Sequence, residues 1–189
     1  MIKIGILGGI GSGKSYVAKC FGYPVFNADY EVSKLYKKDK RTYNKLKKIL
    51  PKHFQSFPID KAEVSNAILA NKSNLSKIVK IIHLEIRKKL NNFLKKNQHK
   101  KFVILDIPLL LENKLNKKED ILIFVQSKKI EISKRLKKRN NFNQKLFNKF
   151  KNIQLPLDYK RKKSQFIIKN NFTKKHVMMN VRNILNKIM

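Results

Sequence analysis

Tryptophan is absent from the chain, cysteine occurs once, and 12 acidic residues stand against 45 Lys plus Arg. The lone Cys20 excludes an internal disulfide, and no Cys/His spacing suits a zinc site. No apolar run reaches the roughly 20 residues that span a bilayer, so a transmembrane helix is not expected. No Gly/Ser/Pro-rich stretch and no internal repeat divides the 189 residues, which predicts a single domain. The first strand pattern starts at Ile2 with no cleavage-type leader before it, and the expected location is the reducing cytoplasm. A hydrophobic share of 42% is enough to build a core and excludes a disordered chain.

The net charge of +33 raises the question of a polyanionic partner. Only Arg41, Arg87, Arg135, Arg139, Arg161 and Arg182 among the basic residues are arginines, and the lysines run along the whole chain. Abundant Asn, Ile and Phe with scarce Gly, Pro and Ala form the joint skew that A/T-rich codons produce. Composition leaves three origins open: codon bias on solvated positions, selection for a polyanion, and steering of small anionic substrates. No nucleic-acid partner is expected, and oligomeric state is not readable.

Short apolar runs at residues 2–7, 24–27, 102–107, 120–126 and 166–169 predict five strands. Between them lie helical patterns, above all over residues 30–100, where Leu46, Ile49 and Leu50 share one face. Ile78, Ile81, Ile82, Ile86, Leu90 and Leu94 share another. A basic helical region covers 128–151, and 174–189 is amphipathic through Val177, Val181, Ile184, Leu185 and Ile188. Strands alternating with helices predict an α/β fold with a parallel sheet. Residues 30–100 read as a helical insertion and about 127–152 as a helical lid.

Residues 8–15, Gly-Gly-Ile-Gly-Ser-Gly-Lys-Ser, satisfy G-x-x-x-x-G-K-[ST] between a predicted strand and a predicted helix. Five of the six glycines (Gly5, Gly8, Gly9, Gly11, Gly13) fall within nine positions. Such a loop turns consecutive backbone N–H groups toward phosphate oxygens. Gly9, Ile10, Gly11, Ser12, Gly13, Lys14, Ser15 and Tyr16 are therefore expected at the nucleotide. Lys14 would meet the β/γ phosphates, and the Ser15 hydroxyl would meet Mg²⁺. ATP and Mg²⁺ are the expected cofactors.

Asp29 closes the second strand, where a carboxylate could take a hydroxyl proton, join the magnesium shell, or simply cap the next helix. Asp106 ends the third strand, the place of a metal-organising acid or of a plain loop cap, and Glu112 follows on the same side. Arg135 and Arg139, four apart, share a helix face and suit a lid over the γ-phosphate. His83 beside the apolar stripe and Cys20 read first as structural residues.

With these pieces in order, the sequence resembles the dephospho-coenzyme A kinase family. The resemblance rests on residues 4–15, on Asn27-Ala28-Asp29, on Ile82-His83, on Ile107-Pro-Leu-Leu-Leu-Glu-Asn113, on Arg135 and Arg139, and on Ile168-Lys-Asn-Asn171. It implies a P-loop kinase fold, three-layered with about five strands, that transfers phosphate from ATP to the ribose 3′-hydroxyl of dephospho-coenzyme A. It implies Asp29 as the proton acceptor, Lys14 and Ser15 at the phosphates and metal, and Arg139 as the main lid arginine. It also implies Asn170 near the adenine pocket, and His83, Pro108 and Leu109 on the acceptor side. The chain departs from the family pattern in four places. Asn27 replaces an acid, Tyr16 replaces a threonine, Leu84 replaces a proline, and the segment from loop to Asp29 is about one helical turn short. Asp106 has no counterpart in the resemblance. The rival readings are a nucleoside or nucleotide kinase and a nucleic-acid-binding ATPase.

Overall fold

Strands β1 (Ile2–Leu7), β2 (Val25–Asn27), β3 (Phe102–Asp106), β4 (Ile121–Gln126) and β5 (Phe166–Lys169) pair in parallel, in the order β2-β3-β1-β4-β5. They belong to a computed structural model that describes residues 1–139 and 142–189. The described helices are α1 (Lys14–Cys20), α2 (Ala28–Lys38), α3 (Lys40–Ile49), α4 (Lys61–Ala70), α5 (Lys72–Lys96), α6 (Lys129–Lys137), α7 (Gln144–Asn152), α8 (Leu157–Lys162) and α9 (Lys174–Ile188).

Alternation along the strands sorts the core into two halves. Ile4, Ile6, Phe102, Ile104, Ile123 and Val125 face α1 and α9 through Val17, Val177 and Val181. Leu7, Phe26, Leu105, Leu122 and Phe124 face the opposite way, onto the helices that follow β2. The three-layer α/β architecture is as the sequence implied. Because all five strands are parallel, the loops after β1, β2 and β3 open on the same end of the sheet.

The helical stretch predicted for residues 30–100 is realised as α2 through α5. α5 buries Leu75, Ile78, Ile82, Ile86 and Leu90 at helical spacing, while Ile81 and Leu94 are half-buried at its margins. Ile49 departs from expectation. It is 38% exposed, because Tyr43, Leu46 and Leu50 already fill the inward stripe of that segment. The basic run expected to be helical over 128–151 is divided between α6 and α7; its residues 140 and 141 lie outside the described ones. A further helix, α8, starts after Pro156, beyond the boundary the periodicity suggested. Among the described residues no helix is long and apolar enough to cross a membrane.

The short connection from the loop to Asp29 is absorbed by truncating α1 to seven residues. Gly22, at φ 71°, adopts the left-handed conformation that ends the helix, and the chain enters β2 three residues later.

Candidate active site

The loop after β1 is held from below by side chains. Asn170, buried after β5, donates its Nδ2 to the Ser12 carbonyl at 2.9 Å, and its Oδ1 accepts from the Phe172 backbone N–H at 2.8 Å. Ser127 Oγ donates to the same Ser12 carbonyl at 2.9 Å. Gly13 has φ 89°, and a Cβ there would stand 2.4 Å from Asn170 Nδ2, so only glycine fits. The resemblance set Asn170 beside the nucleotide base; its amide is engaged at both ends beneath the loop, shaping the cradle.

Lys14 folds back into the loop, donating to the carbonyls of Gly8 at 3.1 Å and Gly9 at 2.8 Å. Burial lowers its pKa to about 8, opposed by the Asp106 carboxylate and reinforced by the nearby Lys160 charge. The two carbonyls hold the ammonium where phosphate oxygens would replace them as partners.

Asp29 sits in the first turn of α2, but it does not cap that helix. Asn27 does, accepting from the Tyr30 backbone N–H at 2.7 Å, so the capping alternative for Asp29 is removed. The Asn27 amide also donates to Asp106 Oδ2. The residue that replaces the expected acid therefore ties the ends of β2 and β3 together. Asp29 opens to the water of the cleft, yet the walls crowd it. Burial raises its pKa, with Asp106 adding to the rise and Lys14 and Arg139 opposing it. Asp106 is 2% exposed, paired with Asn27 and close to both Lys14 and Asp29, which is not the setting of a solvated loop cap.

These groups line one polar cleft of about 570 Å³. Ile10, Gly11, Lys14, Ser15 and Tyr16 form one wall, Asp29, Asp106 and Pro108 the floor, and Arg135, Arg139, Phe142, Phe147 and Phe150 the roof. α6 is seated on the loop, with Ile132 and Leu136 within 3.2 Å of where a Gly11 Cβ would be. Arg135 stacks on Phe172, its guanidinium 4.4 Å from the ring centre. Arg139 approaches closely enough for its charge to act on Asp29. Tyr16 is 43% exposed and lines the cleft.

A second cavity of about 400 Å³ adjoins the first and shares Asp29, Pro108, Leu146, Phe150 and Gln154 with it. Its walls are aliphatic, from Val32, Val64, Ile68, Val79, Ile82 and Ile86, with Leu109 and Leu115 closing one side. His83 enters here. Its Nε2 is buried without a hydrogen-bond partner, and burial, with Arg87 nearby, lowers its pKa. His83 is therefore a half-buried residue of the cavity lining with one unpartnered polar atom. Cys20 remains half-buried on α1.

Sequence reasoning missed the aromatic roof and Lys160. Phe142, Phe147 and Phe150 lie scattered in a Lys-rich region, and nothing in their spacing separates them from core residues. Lys160 is one of 39 lysines, and only its 1% exposure distinguishes it.

A family model described as dephospho-CoA kinase matches residues 2–176. A dephospho-CoA kinase of Wolbachia pipientis wMel is 35% identical over 190 residues, spanning 98% of this chain and 97% of that protein. Among solved structures, a Thermus thermophilus protein superposes with a TM-score of 0.80 at 24% identity, over 100% of this chain and 98% of that one. A dephospho-CoA kinase from Campylobacter jejuni follows at a TM-score of 0.65 and 20% identity, over 98% and 96%. These two structural likenesses speak to the fold.

Proposed function

The chain belongs to the dephospho-CoA kinase family and carries out ATP-dependent phosphorylation of dephospho-CoA to CoA; on that premise we propose that Asp29 receives the proton of the acceptor ribose 3′-hydroxyl. The observation that carries this reading is the meeting of the polar cleft and the apolar cavity at Asp29 and Pro108. The polar cleft takes the triphosphate, the apolar cavity takes the acceptor, and the transfer occurs at their junction.

ATP lies along the loop, its phosphates drawing Lys14 away from the Gly8 and Gly9 carbonyls. The acceptor oxygen attacks the γ-phosphorus, the bond to the β–γ bridging oxygen breaks, and ADP leaves. Asp29 holds the released proton; its raised pKa makes it a better acceptor than an ordinary carboxylate. Arg139 and Arg135 offer guanidinium groups to the transferring phosphoryl oxygens, and the stacking on Phe172 keeps Arg135 over the cleft. The aromatic roof excludes water that would otherwise compete as acceptor.

Ser15 and Asp106 line this cleft, and their oxygens are the donor type that Mg²⁺ takes. When bound there, Mg²⁺ would neutralise charge on the β and γ phosphates. His83 offers its unpartnered Nε2 to a polar group of the acceptor, with Pro108 and Leu109 against its apolar part. The helices between β2 and β3 form the acceptor-binding insertion, and α6 with α7 the lid, within one P-loop kinase domain. The reaction is cytoplasmic, where ATP is supplied.

ADP release measured with dephospho-CoA, nucleosides, nucleoside monophosphates and single-stranded oligonucleotides as separate acceptors tests this assignment. Turnover is expected with dephospho-CoA. Turnover on a nucleoside monophosphate without turnover on dephospho-CoA would overturn it, and stimulation by oligonucleotides alone would point to the basic charge instead.

A further inference from the structure

Glu112 and Lys160 take no part in the transfer chemistry, yet they form the most enclosed ion pair among the described residues of this end of the sheet. Lys160 side-chain exposure is 1% and that of Glu112 is 10%, with Nζ 2.7 Å from Oε1. The same Oε1 accepts the Leu155 backbone N–H at 2.9 Å. One carboxylate oxygen therefore grips two points, Leu155 in the segment joining α7 to α8 and Lys160 on α8 itself. The other oxygen, Oε2, is buried with no hydrogen-bond partner.

Burying a lysine and a glutamate costs desolvation that their attraction rarely returns, and an orphaned carboxylate oxygen adds to that cost. Stability is a poor reason for such a pair; position is a better one. Glu112 lies within the run of turns, residues 108–114, whose Pro108 and Leu109 line the apolar cavity. Lys160 lies on α8, where Leu157 sits 3.5 Å from the position of a Gly9 Cβ, against the phosphate loop. Between the two gripped points and the lid, Gln154 lines both cavities. The pair thus joins the acceptor turn, the base of the lid and the back of the phosphate loop.

We propose that Glu112 and Lys160 are positioning residues that hold the acceptor cavity in register with the phosphate cleft, so that the acceptor hydroxyl meets the γ-phosphate in line. The inference rests on the kinase reading and deepens it. Wild-type turnover of dephospho-CoA tests that reading by itself, independently of any variant at these positions. A displacement of about 1 Å between reacting groups can cost on the order of 10²-fold in rate without weakening either ligand's own contacts.

Two variants of the full-length protein give the test, each measured for thermal midpoint, ATP Kd by calorimetry, and kcat and KM for dephospho-CoA. Glu112→Gln leaves Lys160 buried and unpaired. The paired change Glu112→Leu with Lys160→Met replaces the ion pair by apolar groups of similar size, leaves only the Leu155 N–H to find another acceptor, and is expected to fold even if the single variant does not. Both are expected to lower kcat by roughly 10²-fold while ATP Kd changes by less than about threefold. In the paired variant the thermal midpoint is expected to stay at or above the wild-type value. A paired variant with wild-type kcat overturns the proposal. So does a loss of ATP affinity that tracks the loss of kcat, since that marks a collapsed loop and not a lost register.

Discussion

The polar cleft and the apolar cavity share a floor but are built in opposite ways. The phosphate cradle comes from consecutive residues, Gly8 through Ser15, whose function is carried by backbone conformation. The apolar cavity draws scattered side chains from α2, α4, α5, α7 and the turn after β3. A site made of backbone is specified by which residues permit the conformation. A site made of side chains is specified only by how helices pack. The first tolerates little change at Gly8, Gly11 and Gly13, whose φ values are positive and whose surroundings leave little or no room for a Cβ; the second spreads its specificity thinly.

Substitutions on either side of the shared floor should therefore separate the two ligands. Lys14→Met removes the one charge inside the loop. It is expected to cost about 10³-fold in kcat and to weaken ATP binding measurably, while the KM for dephospho-CoA stays near wild type. Steady-state kinetics with calorimetric ATP binding checks this.

Val79→Phe fills part of the aliphatic wall without touching the loop. It is expected to raise the KM for dephospho-CoA about tenfold and to leave ATP Kd within about twofold, roughly what one misfitting apolar group costs a pocket. A matching loss of ATP affinity would show that the two cavities are not separable.

A smaller effect lies in pH. Lys14 in the free protein has its pKa lowered to about 8 by burial, whereas bound phosphates favour its charged form and raise that pKa. Below pH 8 the lysine is already protonated and ATP affinity is insensitive to its titration. Above pH 8 binding must take up a proton, so affinity falls, by at most about tenfold per pH unit. Calorimetry in buffers of different ionisation enthalpy should show proton uptake at pH 8.5 and none from this group at pH 7.

The same contrast accounts for what could be read from the sequence. Every strand was legible, because a short apolar run bounded by turn residues is too brief for a packed helix and suits a buried strand, and the end of β5 at Lys169 matched its prediction. The glycine-rich loop was legible as the turn between β1 and α1, with Lys14 and Ser15 opening the helix. Asp29 was placed at the end of the second strand, and because the sheet is parallel that end lies in the same cleft as the loop after β1. The roles of Asn27, Asn170 and Lys160 were not legible. Each depends on a partner far away in sequence: Asp106, Ser12 and Glu112 respectively. Asn27 looked like a lost acid, and in three dimensions it is the cap of α2 and the tie to β3. Helix α8 was also not legible, since it is short, basic and marked by a single buried lysine.

The junction itself is tested most directly by Asp29→Asn, with single-turnover transfer from ATP to dephospho-CoA measured beside ATP Kd. Loss of the proton acceptor at the meeting point of the two cavities is expected to slow transfer by about 10²-fold or more, with ATP Kd within about twofold of wild type. A large loss of ATP affinity with the transfer step unchanged would contradict the account and make Asp29 a residue of the phosphate cleft alone.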